Sequence, residues 1–193
     1  MLRIVLFFIF LFISFNIYGE DSRFRFLQSI DSKVEKLKNE TNSIDSTLDS
    51  NLTNEASALE IHYILTNNLG FNFNKSGVET KGLGSVVSFE SDAYGLSYLF
   101  GNKNINLQIG LSIIGETKIK EFSDSDGNYT NQFSISSSKY RDYSINVGLG
   151  INENAELIIG YKSYQLEFDL IGSSTNHFVI DYNTRMIGIG VIF

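Results

Sequence analysis

Residues 143–162 read YSINVGLGINENAELIIGYK, and the spacing of their apolar side chains decides the fold. Tyr143, Ile145, Val147, Leu149 and Ile151 alternate with Ser144, Asn146, Gly148 and Gly150. After Asn152-Glu153-Asn154 the alternation resumes, with Leu157, Ile159 and Tyr161 set against Glu156, Ile158, Gly160 and Lys162. Successive side chains of a strand point to opposite faces, so this period of two builds one large apolar face and one mostly small or polar face. The Asn-rich triplet between the two runs is a tight turn. The stretch is therefore a β-hairpin.

The pattern recurs outward from it. Ile105, Leu107, Ile109, Leu111 and Ile113 alternate with Asn106, Gln108, Gly110 and Ser112; Tyr94, Leu96, Tyr98 and Phe100 alternate with Gly95, Ser97 and Leu99. Leu59, Ile61, Tyr63 and Leu65 alternate with Glu60, His62 and Ile64, and Ile187, Ile189, Val191 and Phe193 alternate with Gly188, Gly190 and Ile192. Segments 58–73, 84–100, 105–120, 132–151, 155–170 and 177–193 are clearly patterned, which makes six. A soluble sandwich also alternates, but it turns its large apolar face inward. Here apolar rows of about nine residues match a tilted bilayer crossing. The opposite face is rich in Gly, Ser and Asn, which suits a crowded lumen. Tyr and Phe gather near strand ends, as interfacial girdles do. The fold class expected is all-β, an antiparallel up-and-down transmembrane barrel.

Bacterial barrels of one chain start at about eight strands, so eight are expected. The face carrying apolar residues changes parity between Phe89 and Tyr94. A turn near Ser91-Asp92, with a second break at Lys139–Asp142, would supply the missing two strands; an oligomer sharing one barrel would do the same. Gly101-Asn102-Lys103-Asn104 and Asn152-Glu153-Asn154 read as tight turns, and 74–81, 121–131 and 172–176 as longer loops.

Residues 1–19 read as a secretory signal for the Sec pathway, with Arg3 before an apolar run from Ile4 to Phe15 that is short for a spanning helix. Residues 20–56 carry apolar positions Leu27, Ile30, Val34, Leu37, Ile44 and Leu48 at three-and-four spacing, the mark of a helix with coiled-coil heptads. This N-terminal segment predicts either a homo-oligomer through residues 27–48 or a lone amphipathic helix in the periplasm. The barrel is expected over 57–193.

Composition agrees. The 193 residues include 16 Phe, 10 Tyr, 16 Gly and no Pro, which favours uninterrupted strand ladders. A net charge of −7 disfavours a nucleic-acid partner. With no Cys, thiolate metal sites and Cys nucleophiles are excluded.

The run IGIGVIF at 187–193 resembles the C-terminal signature of bacterial outer-membrane proteins. Phe193, Val191, Ile189 and Ile187 fit it, while Arg185 departs from it. Together with VGLGINENAELIIGYKSY at 147–164, residues 57–193 resemble the small outer-membrane barrels of the OmpA, OmpX and OmpW kind. The resemblance implies residence in the outer membrane, contact with its lipid, and reading of the last strand by the barrel assembly machinery.

Candidate chemistry is sparse. His62, beside Glu60 on the lumen face, fits a hydrogen bond better than a metal site. Ser173, Ser174 and His177 lack the flanking motif of a barrel lipid hydrolase, and Asp124–Asn128 lacks the terminal bidentate Glu of a calcium loop. Glu60, Asn106, Gln108, Asn146, Glu156 and Lys162 are expected to project inward, with Glu156 paired to Lys162 or to a neighbouring strand. No cofactor and no catalytic residue is expected. The function expected is a non-catalytic structural or binding barrel of the outer membrane. The alternatives are a pore or small-molecule transport barrel, and a secreted lipocalin-like binder.

Overall fold

The computed structural model describes residues 21–39, 53–82, 85–123, 134–171 and 175–193. They form eight strands: β1 Arg23–Asn39, β2 Thr53–Ile64, β3 Leu69–Gly82, β4 Ser85–Gly101, β5 Ile105–Ser123, β6 Ser134–Asn152, β7 Ala155–Ile171 and β8 Thr175–Ile192. Each pairs antiparallel with the next, and β8 pairs with β1, which closes a barrel. The closing ladder runs from Arg23↔Ile192 to Asn39↔Phe178. Ser22 and Phe193 extend it with reciprocal backbone hydrogen bonds of 2.9 and 3.0 Å.

The barrel class is as expected, but two strands come from elsewhere. Residues 23–39, assigned above to a helix, form β1, so the barrel begins well before residue 57. Its Leu27 is buried in the lumen while Ile30 is exposed outside, so the two cannot share one seam. Ile44 and Leu48 lie outside the described residues, as do residues 1–20. The segment 58–73 holds the second extra strand boundary. It turns at Leu65–Asn68, where Asn68 takes φ 67° and its N–H donates to the Leu65 carbonyl at 2.9 Å. Neither break proposed inside the chain exists: β4 passes through Ser91-Asp92 and β6 through Lys139–Asp142 without interruption. Residues 74–81 are strand, not loop.

Three tight turns share one end of the barrel with Ser22 and Phe193. At Gly101 φ is 106°, and a Cβ there would lie 2.6 Å from the Ile105 carbonyl, so Gly suits the corner. Asn102 Oδ1 accepts from the N–H groups of Asn104 and Ile105 at 2.9 and 3.1 Å, and Asn152 Oδ1 accepts from that of Asn154 at 2.9 Å. These Asn side chains replace ladder partners that a turn removes.

The parity change has a different cause. Along β4, odd residues from Phe89 to Leu99 face inward, yet the apolar residues change sides. Near the turn end Tyr94, Leu96, Tyr98 and Phe100 are exposed outside, whereas Phe89 is buried inside. The whole barrel follows this inversion. Near the turn end the outer wall is Phe24, Leu107, Ile109, Val147, Ile159 and Ile189, among others, and the inner wall carries the polar and charged side chains, with Leu27, Ile64, Leu99 and Ile158 among them. Toward the other end the outer wall carries Lys75, Asp92, Glu116, Lys139 and Arg141, and the inside is apolar. One end is built for a hydrocarbon surround and the other for water.

The watery half is not a round tube. The β1–β2 ladder stops at Gln28↔Leu59 and the β5–β6 ladder at Ser112↔Asp142, while all four strands continue. Past those points the strands group into two sheets, β2–β5 and β6–β8 with β1. Ala58, Val78, Phe89 and Ala93 of one sheet face Tyr140, Tyr164, Leu166, Phe168 and Tyr182 of the other. The Phe89 and Phe168 rings meet at 4.7 Å and Tyr164 stacks on Tyr182 at 4.4 Å. This half packs as a β-sandwich does.

Candidate functional site

The lumen of the apolar-walled half holds buried charge in two groups. Strand β7 carries Glu156 inward near the turn end, and β1 brings Arg23 and Arg25 against it. Arg25 Nε donates to Glu156 Oε1 at 2.7 Å, Arg25 Nη2 to Oε2 at 2.9 Å, and Arg23 Nη1 to Oε2 at 3.0 Å. The Arg25 fork also reaches Gln108 Oε1 at 2.8 Å and Asn106 Oδ1 at 2.5 Å. Arg suits this place because its rigid donor fork fits a carboxylate bidentately. Gly148 and Gly190 make the room: a Cβ at either would lie within 2.7 Å of the Glu156 carboxylate.

One step up the barrel, Lys162 of β7 reaches Glu60 of β2 and, at 3.0 Å, Asp142 of β6. Glu60 Oε2 also contacts His62 Nε2 at 3.0 Å, and His62 Nδ1 contacts Gln108 Nε2 at 3.1 Å. Asn74 donates to Asp142 Oδ2 at 2.7 Å and also to the Tyr140 hydroxyl. Arg23, Arg25 and Lys162 thus balance Glu60, Asp142 and Glu156 in charge, and all six are buried. Ionised groups out of water must be paired in this manner.

The expected inward residues Glu60, Asn106, Gln108, Asn146, Glu156 and Lys162 all lie in this lumen, and His62 hydrogen-bonds Glu60. The pairing differs in one respect. Glu156 of β7 joins the Arg pair of β1, which lies beyond β8, and not Lys162. The two Arg residues were missed because the heptad reading placed them on a helix outside the barrel. The signal was present in alternation: Arg23, Arg25 and Leu27 face in, while Phe24 and Phe26 face out.

Ile187, Ile189, Val191 and Phe193 form an exposed apolar row on and just past β8. His177 lies on the outer wall far from the turns, where its Nδ1 contacts Asp169 Oδ1 at 2.7 Å. Ser137 donates to the other oxygen of Asp169 at 2.5 Å. The hydroxyl bond first, and then His177, holds the Asp169 carboxyl below the usual carboxylate range. A nucleophile relay needs the hydroxyl to hydrogen-bond the imidazole that takes its proton, whereas here the Ser137 hydroxyl donates to the Asp169 carboxylate. Ser173, Ser174 and 124–128 lie outside the described residues. Among the described residues no cluster of His, Asp and Glu has the geometry to hold a metal.

A cavity of about 500 Å³ opens where β1 and β2 part. Gln28 and Ser29 of β1, Ala58 and Leu59 of β2, Val78 of β3 and Phe89 of β4 line it. It passes from the outer surface toward the apolar interior of the sandwich half.

No family model and no curated protein sequence matches the chain. Its structure is similar to solved bacterial outer-membrane barrels. Neisserial surface protein A matches with a TM-score of 0.52 at 15% identity over 89% of this chain and 96% of that one. Ail, the attachment invasion locus protein of Yersinia pestis, matches at 0.51 and 16% identity over 91% and 100%. The outer membrane protein OprG of Pseudomonas aeruginosa matches at 0.46 and 17% identity over 91% and 96%. The likeness is one of fold, the eight-stranded outer-membrane barrel.

Proposed function

We propose that the chain is a non-catalytic outer-membrane barrel that acts through what its water-facing half presents outside the cell, with a lumen closed to ions. The observation that carries this reading is the inversion of the wall along the barrel axis. An apolar belt with a polar, charge-balanced lumen suits lipid, and the sandwich half with a charged exterior suits the medium beyond it. Short turns at one end and the two long connections, 40–52 and 124–133, at the other fit the same orientation. Side chains fill the interior of an eight-stranded barrel, so a monomer should not conduct. The exposed apolar belt also disfavours the secreted lipocalin-like reading, since water would have to cover it.

The row Ile187, Ile189, Val191 and Phe193 serves in this proposal as the assembly signal, and export by the Sec pathway as the route. The test uses the absence of Cys from the chain. Lys118→Cys and Ile109→Cys are made separately and treated in intact cells with a membrane-impermeant maleimide. Labelling at Lys118→Cys and none at Ile109→Cys supports the orientation; equal labelling overturns it. Steady channel currents from the purified monomer in planar bilayers would replace the closed barrel with a pore.

A further inference from the structure

The outer wall of β6, β7 and β8 gathers hydrogen-bond donors at the edge of the apolar belt. The pairing Tyr143↔Ser163↔Asn183 sets three outward side chains in one row. The next row away from the turn end is Arg141↔Gln165↔Asp181, and the next row toward it is Ile145↔Tyr161↔Arg185. Ser163 is thus the short centre of a grid of three rows, with Arg141 and Arg185 at opposite corners. Diagonal neighbours on a sheet face stand about 7–8 Å apart, within the reach of an arginine side chain. Both guanidinium groups can therefore close over Ser163. The surface is open: Arg141 is exposed, Tyr143 and Tyr161 are 58% and 48% exposed, and the Arg185 side chain is 73% exposed.

We propose that this patch binds the phosphate of an anionic lipid in the outer leaflet. Arg141 has no ion pair among the described residues. Arg185 has one, with Asp31 at 3.4 Å, but both side chains are mostly exposed. A pair of that kind is worth little and yields readily to a better acceptor. Two rigid guanidinium forks match phosphate oxygens, and the Ser163 hydroxyl and the Asn183 amide add neutral donors between them. Asp181, the one carboxylate of the grid, is half-buried and lies on the side away from the belt. Tyr143 and Tyr161 set the depth, because Tyr is enriched at the level of lipid headgroups. The wall formed by β3, β4 and β5 makes the contrast. Its first polar row beyond the belt is Lys75↔Asp92↔Glu116, and Lys75 is bound to Glu90. That wall neutralises its own cation and leaves carboxylates over, so an anionic headgroup is directed to β6, β7 and β8.

The inference rests on the membrane reading above and names the lipid class that the wall selects. The chain has no Trp, so a single introduced Trp reports its own lipid neighbours. Ile145→Trp puts the reporter at the belt corner of the grid, and Phe73→Trp, two residues from Lys75, is the reference. Each full-length variant is refolded into phosphatidylcholine vesicles containing phosphatidic acid, with bromine on the acyl chains of one lipid or the other. Quenching at position 145 should show at least about a fivefold preference for phosphatidic acid, the effect of one well-placed cation or more. Position 73 should show none. Adding Arg141→Gln and Arg185→Gln should bring the ratio at position 145 to that at position 73. Ser163→Leu keeps both cations but fills the centre of the grid, and should lower the ratio as far. The heat-modifiable gel shift confirms that each variant has folded.

A preference that survives the loss of both Arg residues would overturn the proposal. One that survives Ser163→Leu would overturn it too, because a diffuse positive field needs no vacant centre. Loss of the preference in excess inorganic phosphate at matched ionic strength would give the site to the free ion and overturn the lipid assignment. If both lipids quench both positions alike, this inference falls and the membrane barrel stands. If neither lipid quenches either position, the membrane reading falls and takes this inference with it.

Discussion

Glu156 holds two guanidinium groups, those of Arg23 and Arg25, inside a lumen with no room for bulk water around them. Glu156→Gln keeps the shape and removes the charge. Removing one partner of a buried pair leaves the other uncompensated, at a cost of about 3–5 kcal/mol. Urea unfolding from liposomes should show that loss. The double variant Arg25→Met with Glu156→Leu should lose markedly less than the sum of its parts, and additive losses would refute the pairing. On the outer wall the logic reverses. Ile109 is 47% exposed within an apolar belt, and its neighbour across the wall, Gln108, is fully buried. Ile109→Arg should cost about 2–4 kcal/mol of refolding free energy at the membrane midplane. A change of the same size at the exposed Glu116, beyond the belt, should cost little; equal effects would rule out the facing. Alternation makes this level of detail legible in the sequence: the lumen residues of β5, β6 and β7 follow from the period of two alone. Gly190 shows what does not follow from it. It reads as a spare position between signature residues, yet a Cβ there would meet Glu156 Cγ at 2.6 Å, so it cannot serve as a neutral control.

At the level of elements, two of the misread ones share a physical reason: the period of two was broken without the strand being broken. In β1 the register shifts at Ser29/Asp31 and Val34/Lys36 each insert a residue, which spaces Leu27, Ile30, Val34 and Leu37 like a helix seam. In β4 the change from lipid to water moves apolar residues from the outer face to the inner one, which imitates a turn. In 58–73 the turn Leu65–Asn68 begins with a buried Leu and has no Gly or Pro to mark it. Two substitutions test the corrected elements. Gln28 of β1 pairs with Leu59 on one side and Ile187 on the other, so Gln28→Pro removes a ladder donor between two strands. It should prevent the heat-modifiable gel shift of a folded barrel, whereas a tether helix outside the barrel would tolerate it with the shift intact. On β8, Phe193→Ser should leave export unaffected and lower the amount of barrel in the outer membrane, with Ser163→Asn as the outward-facing control. Wild-type membrane levels for the Phe193 variant would make the resemblance of 187–193 to an assembly signal coincidental.

On the scale of the whole molecule, the barrel changes solvent along its own length. The same eight strands close into a ring in the belt and divide into two sheets beyond it. A ring leaves no edge where hydrocarbon would penalise one, and the division falls where the outer wall turns polar. The sequence signals of the two halves oppose each other, so a reading tuned to membrane strands recovers the lower half and mistakes the upper one. The ring itself carries a further consequence. Its seam joins Arg23 to Ile192, and Ser22 and Phe193 exchange hydrogen bonds at one end. Pairing so far apart along the chain has the largest loop-closure cost of all the ladders, so it should form last and slowly. Because the two ends of the ring touch, a short linker from Phe193 to Ser22 would permit the chain to be reopened at the Gly101–Asn104 turn. That circular permutant keeps every ladder but makes β4 and β5 its terminal strands. It should reach the same folded mobility, with the β1–β8 amides protected early during refolding and the β4–β5 amides last. Which seam waits is then a property of chain connectivity, free of the barrel's final shape.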